Sequence, residues 1–166
     1  MSIPESNSDE SGVPKSPRGS RRGPASEAAL GWAAGFIDGE GCIHIAKQRY
    51  RSERSDTYRL GVYVTQNDKS VLEHLRDVVG IDAPIFPVKR ARNHSRQCYT
   101  LNFTGKDALR LLSLLLDCLH RKRAEAQAAL EFWAAGRMGE RFGRKGVSPE
   151  LVATREHYFQ LLKLLK

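Results

Sequence analysis

The sequence predicts an α+β domain of order α-ββ-α-ββ-α with extra C-terminal helices. Its four strands are expected to form one antiparallel sheet with helices on one face. Three observations predict this. Apolar residues recur at helical spacing over Leu30–Ile37 and Val71–Val79, the mark of an amphipathic helix. Period-two alternation marks Ile43–Ile45, Leu60–Val64 and Tyr99–Phe103 as half-buried strands. The ββα plan of the first half then returns from residue 84 onward, as a duplicated supersecondary unit would.

Taken in order, residues 1–24 are mostly Ser, Pro, Gly, Arg and acidic residues. They have little to bury and are expected to form a disordered tail, leaving residues 25–166 as a single domain. Glu5, Asp9 and Glu10 argue against an organellar transit peptide. Ser26 is a natural N-cap for a helix burying Leu30, Ala33, Ala34 and Ile37. In the strand that follows, Ile43 and Ile45 face inward while Cys42, His44, Ala46 and Gln48 face outward. A polar turn over 50–56 leads to a second strand with Leu60, Val62 and Val64 inward. Asn67 is expected to cap the next helix, which Gly80 ends. A strand over Ile85–Arg92, a turn at Asn93-His94-Ser95 and a strand over Gln97–Phe103 repeat the plan. Helices at 105–119 and 121–137 follow, then a Gly/Arg loop and a helix with Ser148 as N-cap and Pro149 at its first position.

An internal echo fails as a second copy of the first helix. Trp32-Ala33-Ala34-Gly35 recurs as Trp133-Ala134-Ala135-Gly136. Arg137 and Met138 then break the apolar pair Phe36-Ile37, and Arg141 falls in the register of Glu40.

Composition narrows the function. A net charge of +8 and a pI near 9.7 point to a polyanionic partner, most simply nucleic acid. No apolar run is long enough to span a membrane and no signal-peptide core is visible. Cys42, Cys98 and Cys118 form neither a disulfide framework nor a zinc site, so an intracellular setting is expected. The histidines show no zinc-binding pattern. A hard cation on oxygen ligands is the expected metal type.

The segment Gly31–Gly41, GWAAGFIDGEG, carries the chemistry. Gly31, Gly35 and Gly39 fall on one helical face, each costing about 1 kcal/mol relative to alanine. Close approach of a second helix backbone is the usual compensation. With a single such segment, that helix must come from a second copy, and a two-fold homodimer is the economical solution. The segment ends of both chains would then meet at the dyad with one Glu40 from each. Paired carboxylates there favour a Mg²⁺-type ion between them, with Ca²⁺ or Mn²⁺ as substitutes.

The residues Ala33–Gly41 also resemble the signature of the LAGLIDADG homing endonucleases, with five of nine positions identical. The departures are Ala33, Phe36, Gly39 and Glu40, where glutamate stands for aspartate and lengthens the ligand by a methylene. The resemblance implies the LAGLIDADG fold with a saddle-shaped sheet. It also implies homodimeric, Mg²⁺-dependent cleavage of both strands of long, nearly palindromic DNA sites, leaving short 3′ overhangs, in an intron-homing setting. It places the metal on Glu40 and the Gly39 carbonyl. It assigns water ordering to Gln66, from Val64-Thr65-Gln66, and a place in the same network to Lys122. Asp38 is expected to support the helix end and the dimer seam.

The outward sheet face bears hydrogen-bonding side chains rather than a Lys/Glu scatter. His44, Gln48, Thr57, Arg59, Tyr63, Arg96, Thr100 and Asn102 lie on it, and such a curved face can read base edges in a major groove. Lys89, Arg90 and Arg92 are expected to join it as DNA contacts. Two rivals belong to other classes: a nuclease-inactive relative acting as RNA maturase or transcription regulator, and an interaction protein whose sheet binds another protein.

Overall fold

A computed structural model describes residues 25–48, 56–89, 96–142 and 146–166. The expected N-terminal tail, most of the turn at 50–56 and the turn Asn93-His94-Ser95 lie outside the described residues, as do Arg90 and Arg92.

Helix α1 (Glu27–Glu40) runs directly into β1 (Gly41–Gln48). Strand β2 (Thr57–Gln66), helix α2 (Lys69–Val79), strands β3 (Ile85–Pro87) and β4 (Tyr99–Thr104), and helices α3 (Lys106–Leu115), α4 (Arg123–Ala135) and α5 (Pro149–Leu164) follow. The strands form one antiparallel sheet of order β1-β2-β4-β3. The two strand pairs therefore meet at β2 and β4, as the duplicated ββα plan requires. The architecture is the expected α+β arrangement.

Alternation sorts the faces. Ile43, Ile45, Tyr58, Leu60, Val62, Val64, Leu101 and Phe103 are buried on the inner face. Against them lie Ala33, Ala34 and Ile37 of α1, Leu72 and Leu75 of α2, and Leu111, Leu112 and Leu115 of α3. Each of the larger aliphatic and Phe side chains among them contributes about 1.5–3 kcal/mol, so the inner face holds the sheet in register.

Local signals end the helices. The Ser26 hydroxyl accepts from the Ala29 N–H at 3.3 Å, and Ser148 caps α5 through Leu151 at the same distance. Gly80 adopts φ 64° at the end of α2. The N-cap of α2 is Asp68 rather than Asn67: its Oδ1 accepts from Ser70 N at 2.9 Å, because β2 pairs through Gln66 and pushes the cap one residue on. Strand β3 spans only Ile85–Pro87, although Val88 N still donates to the Cys98 carbonyl at 2.9 Å; the expected far end at Arg92 lies outside the described residues. Strand β4 starts at Tyr99 instead of Gln97 and extends to Thr104. Helices α3 and α4 are shorter than 105–119 and 121–137, and the turn between them matters below. The echo at Trp133 closes α4, with Arg137 at φ 48° and no strand beyond it among the described residues.

Helix α5 packs beside edge strand β1. The Glu156 carboxylate accepts from Lys47 Nζ at 2.6 Å and from Tyr58 OH at 2.5 Å. Those donors, Lys47 first, push its pKa down to about 2. Buried Arg155 donates from Nε to the Gly136 carbonyl at 2.8 Å. No helix among the described residues is long and apolar enough to cross a membrane.

Candidate active site

Two glycine types in α1 do different work. Gly41 is where helix becomes strand, and a Cβ there would stand 2.7 Å from the Ile37 carbonyl oxygen. Only glycine lets the chain leave α1 so abruptly. A Cβ on Gly31, Gly35 or Gly39, by contrast, would meet nothing within 4 Å. That face is therefore open, and no helix among the described residues covers it. Trp32, 38% exposed, stacks on Phe36 beside it, with ring centroids 5.4 Å apart.

Asp38 closes the end of α1 onto the start of α4. Its Oδ2 accepts from the backbone N–H of His120 at 2.7 Å and of Arg121 at 3.2 Å, and Oδ1 from that of Lys122 at 2.8 Å. In return Lys122 Nζ and, at 3.0 Å, Arg121 Nη1 donate to the Asp38 carbonyl. Burial opposes ionisation of Asp38. The backbone donors of His120, Lys122 and Arg121 and the Lys122 charge outweigh it, so its pKa falls below the ordinary value. Here the carboxylate caps the orphan amides of another helix. Support of the helix end was anticipated; the partner, the α4 N-terminus, was not.

Lys122 is buried, only 5% exposed, and its pKa is lowered chiefly by burial and next by the Arg121 charge. It forms part of a recess of about 250 Å³ lined by Gly39, Gly41, Cys42, Arg121, Lys122, Glu125 and Lys166. Glu40 is exposed between those two glycines. Among the described residues no hydrogen bond or ion pair engages its carboxylate. Gln66 is half-buried and does not line the recess. Register nonetheless carries it to the same end of the sheet: Val64 faces Gly41 across the β1–β2 ladder, and Gln66 is two residues further on. The structure thus joins Gly39 and Lys122 in one recess, with Glu40 at its edge and Gln66 at the same sheet end.

The outer sheet face is built as the alternation predicts. Gln48 and Arg59 are exposed, Tyr63 is 38% exposed, and His44, Thr100 and Asn102 are half-buried. Lys89 and Arg96 are exposed but flank β3 and β4 rather than lying within them. Gly61 makes room for His44, whose ring would come within 2.4 Å of a Cβ at that position. Burial, partly opposed by the Cys42 carbonyl as acceptor and joined by the Lys166 charge, lowers the His44 pKa. The Thr65 and Thr100 hydroxyls pair across the strands at 2.7 Å. Cys42, paired with Tyr63 across the β1–β2 ladder, raises the phenol pKa. Neither Cys42 nor Lys166 was anticipated as a lining residue. No local pattern announces a contact 124 residues apart in sequence.

The described residues hold no group of three or more His, Cys, Asp or Glu side chains able to bind a metal. One chain offers a carboxylate, Glu40, beside backbone oxygen at Gly39. That donor set suits a hard cation but is incomplete alone.

Fold and motif together define a class, and comparison bears it out. The sequence model described as LAGLIDADG endonuclease matches residues 33–127, and the chain belongs to that family. Among solved structures, the homing endonuclease I-CvuI, in complex with the I-CreI target in the presence of 2 mM Mg, is similar with a TM-score of 0.66 at 22% identity. That match covers 84% of this chain and 83% of that one. The archaeal intron-encoded homing endonuclease I-Vdi141I, complexed with DNA, has a TM-score of 0.53 at 17% identity, covering 80% of this chain and 97% of that one. I-GzeII, in complex with its DNA target, has a TM-score of 0.55 at 17% identity; here the match covers 81% of this chain but 43% of the neighbour. Such likenesses show the fold. Comparison with curated proteins returns no match.

Proposed function

We propose that the protein is a site-specific double-stranded DNA endonuclease of the homing type, acting as a homodimer through residues 25–166. The observation that carries this is the open glycine face of α1, which ends in an exposed carboxylate. A second copy packed there brings two Glu40 side chains to one axis, completing the donor set that one chain lacks. The neighbours support this. Some are similar to this chain over most of their length, and in others the match leaves room for a second unit of the same size. All three are complexes with DNA.

Glu40 and the Gly39 carbonyl of each chain would hold Mg²⁺, or Ca²⁺ in its place. The cation, when bound, supplies charge stabilisation to attacking and leaving oxygens in phosphodiester hydrolysis. Gln66 orients water at the strand end. Lys122 provides positive potential beneath the recess and holds the Asp38 carbonyl. The outer face, with His44, Gln48, Arg59, Tyr63, Thr100 and Asn102, enters the major groove, and Lys89, Arg90, Arg92 and Arg96 meet the duplex around it.

Glu40→Gln tests the reading. With sites selected from a randomised duplex pool, cleavage falls by about 100-fold or more, as when a transition-state charge partner is removed, while duplex affinity is retained. Equal cleavage by the variant refutes the role of Glu40. Binding by the wild type without any Mg²⁺-dependent cleavage favours an inactive, binding-only relative.

A further inference from the structure

Two cations near the recess are already committed. The Lys122 ammonium, on a side chain 5% exposed, donates to the Asp38 carbonyl. The Arg121 guanidinium donates to the same oxygen at 3.0 Å. Both hold the end of α1 in place. Other lysines of this region are also engaged. Lys163 lies over the Phe159 ring at 4.1 Å, and Lys47 bridges Glu156 and Asp56.

Lys166 is different. It follows α5, reaches the recess beside β1, and lines it together with Gly39 and Gly41. Its Nζ stands 3.3 Å from Cys42 Sγ. Thiol sulfur is a weak acceptor, so the ammonium loses little in turning to a phosphate oxygen, where a charge-assisted bond is about twice as strong as a neutral one. The side chain is exposed, so no burial has to be undone.

We propose that Lys166 is a phosphate-contacting residue of the cleavage site, supplied by the C-terminal helix from beyond the matched residues 33–127. Lys122 is then a positioning residue behind it. The proposal rests on the endonuclease reading of the same recess.

The test uses the full chain and a labelled, random-sequence DNA duplex, with affinity measured against salt in Ca²⁺. Lys166→Met reduces the slope of log K against log salt by about 0.9 per chain, the signature of one lost phosphate contact. Lys166→Arg restores it, and Lys163→Met leaves it unchanged. Single-turnover cleavage of a selected site in Mg²⁺ falls at least about 10-fold in Lys166→Met and recovers with arginine. An unchanged slope overturns the proposal. So does a drop in slope and thermal stability together that arginine does not rescue, since that marks a structural role. If the slope changes as expected but the wild type cleaves nothing, the endonuclease reading fails and the phosphate contact stands.

Discussion

Asp38 and Glu40 are two residues apart, yet their surroundings divide the labour. The Asp38 carboxylate is saturated by three backbone N–H groups at the start of α4. Glu40 points into solvent at the end of α1. Asp38→Ala strands those amides and costs about 1–2 kcal/mol after allowing for solvent screening. Because the folded pKa lies below the ordinary 3.8, the stabilisation is complete above that value. It disappears as pH falls through the lower folded value. Urea unfolding of both proteins across acid pH checks this: the gap is constant near neutrality and closes only in acid. The division was half legible. The motif marks both acids, but the amides that Asp38 caps lie 82–84 residues away.

Helix α1 is amphipathic in an unusual sense, since one face is buried and another is bare backbone. Ala33, Ala34 and Ile37 pack on the sheet, while Gly31, Gly35 and Gly39 meet nothing. Gly35→Leu should therefore leave the single chain's packing intact and even gain about 1 kcal/mol of helix propensity, yet abolish association. Sedimentation reports a monomer that retains native circular dichroism. A dimer of unchanged affinity means that this face is not the seam. Element types were legible because period and capping are local: Ser26, Gly80 and Ser148 act where the sequence places them. Ends were less so. Asn67 and Asp68 are equally good caps, and only the pairing of Gln66 with Tyr99 decides between them. The break between α3 and α4 was legible at residue 120, but its width, from Leu116 to Lys122, was not, for a related reason. Its turn is held by Asp38 from another helix.

For the molecule as a whole, the net charge of +8 and the polar outer sheet face are what the proposed DNA partner requires. Symmetry describes how that surface becomes a site. One chain holds an exposed acid, Glu40, beside one recess, and in the proposed homodimer two such halves would face each other and address both strands of a duplex. The nine-residue motif made the family legible, and alternation made the sheet legible. The recess was not, because Cys42, Lys122 and Lys166 come from three elements that only packing brings together. Mixed dimers of wild-type and Glu40→Gln chains, isolated with two affinity tags, decide whether the halves cooperate. Acting on supercoiled plasmid bearing a selected site, they should leave nicked circles or intact plasmid. Linear product at the wild-type rate would mean that each chain carries a complete cleavage site of its own.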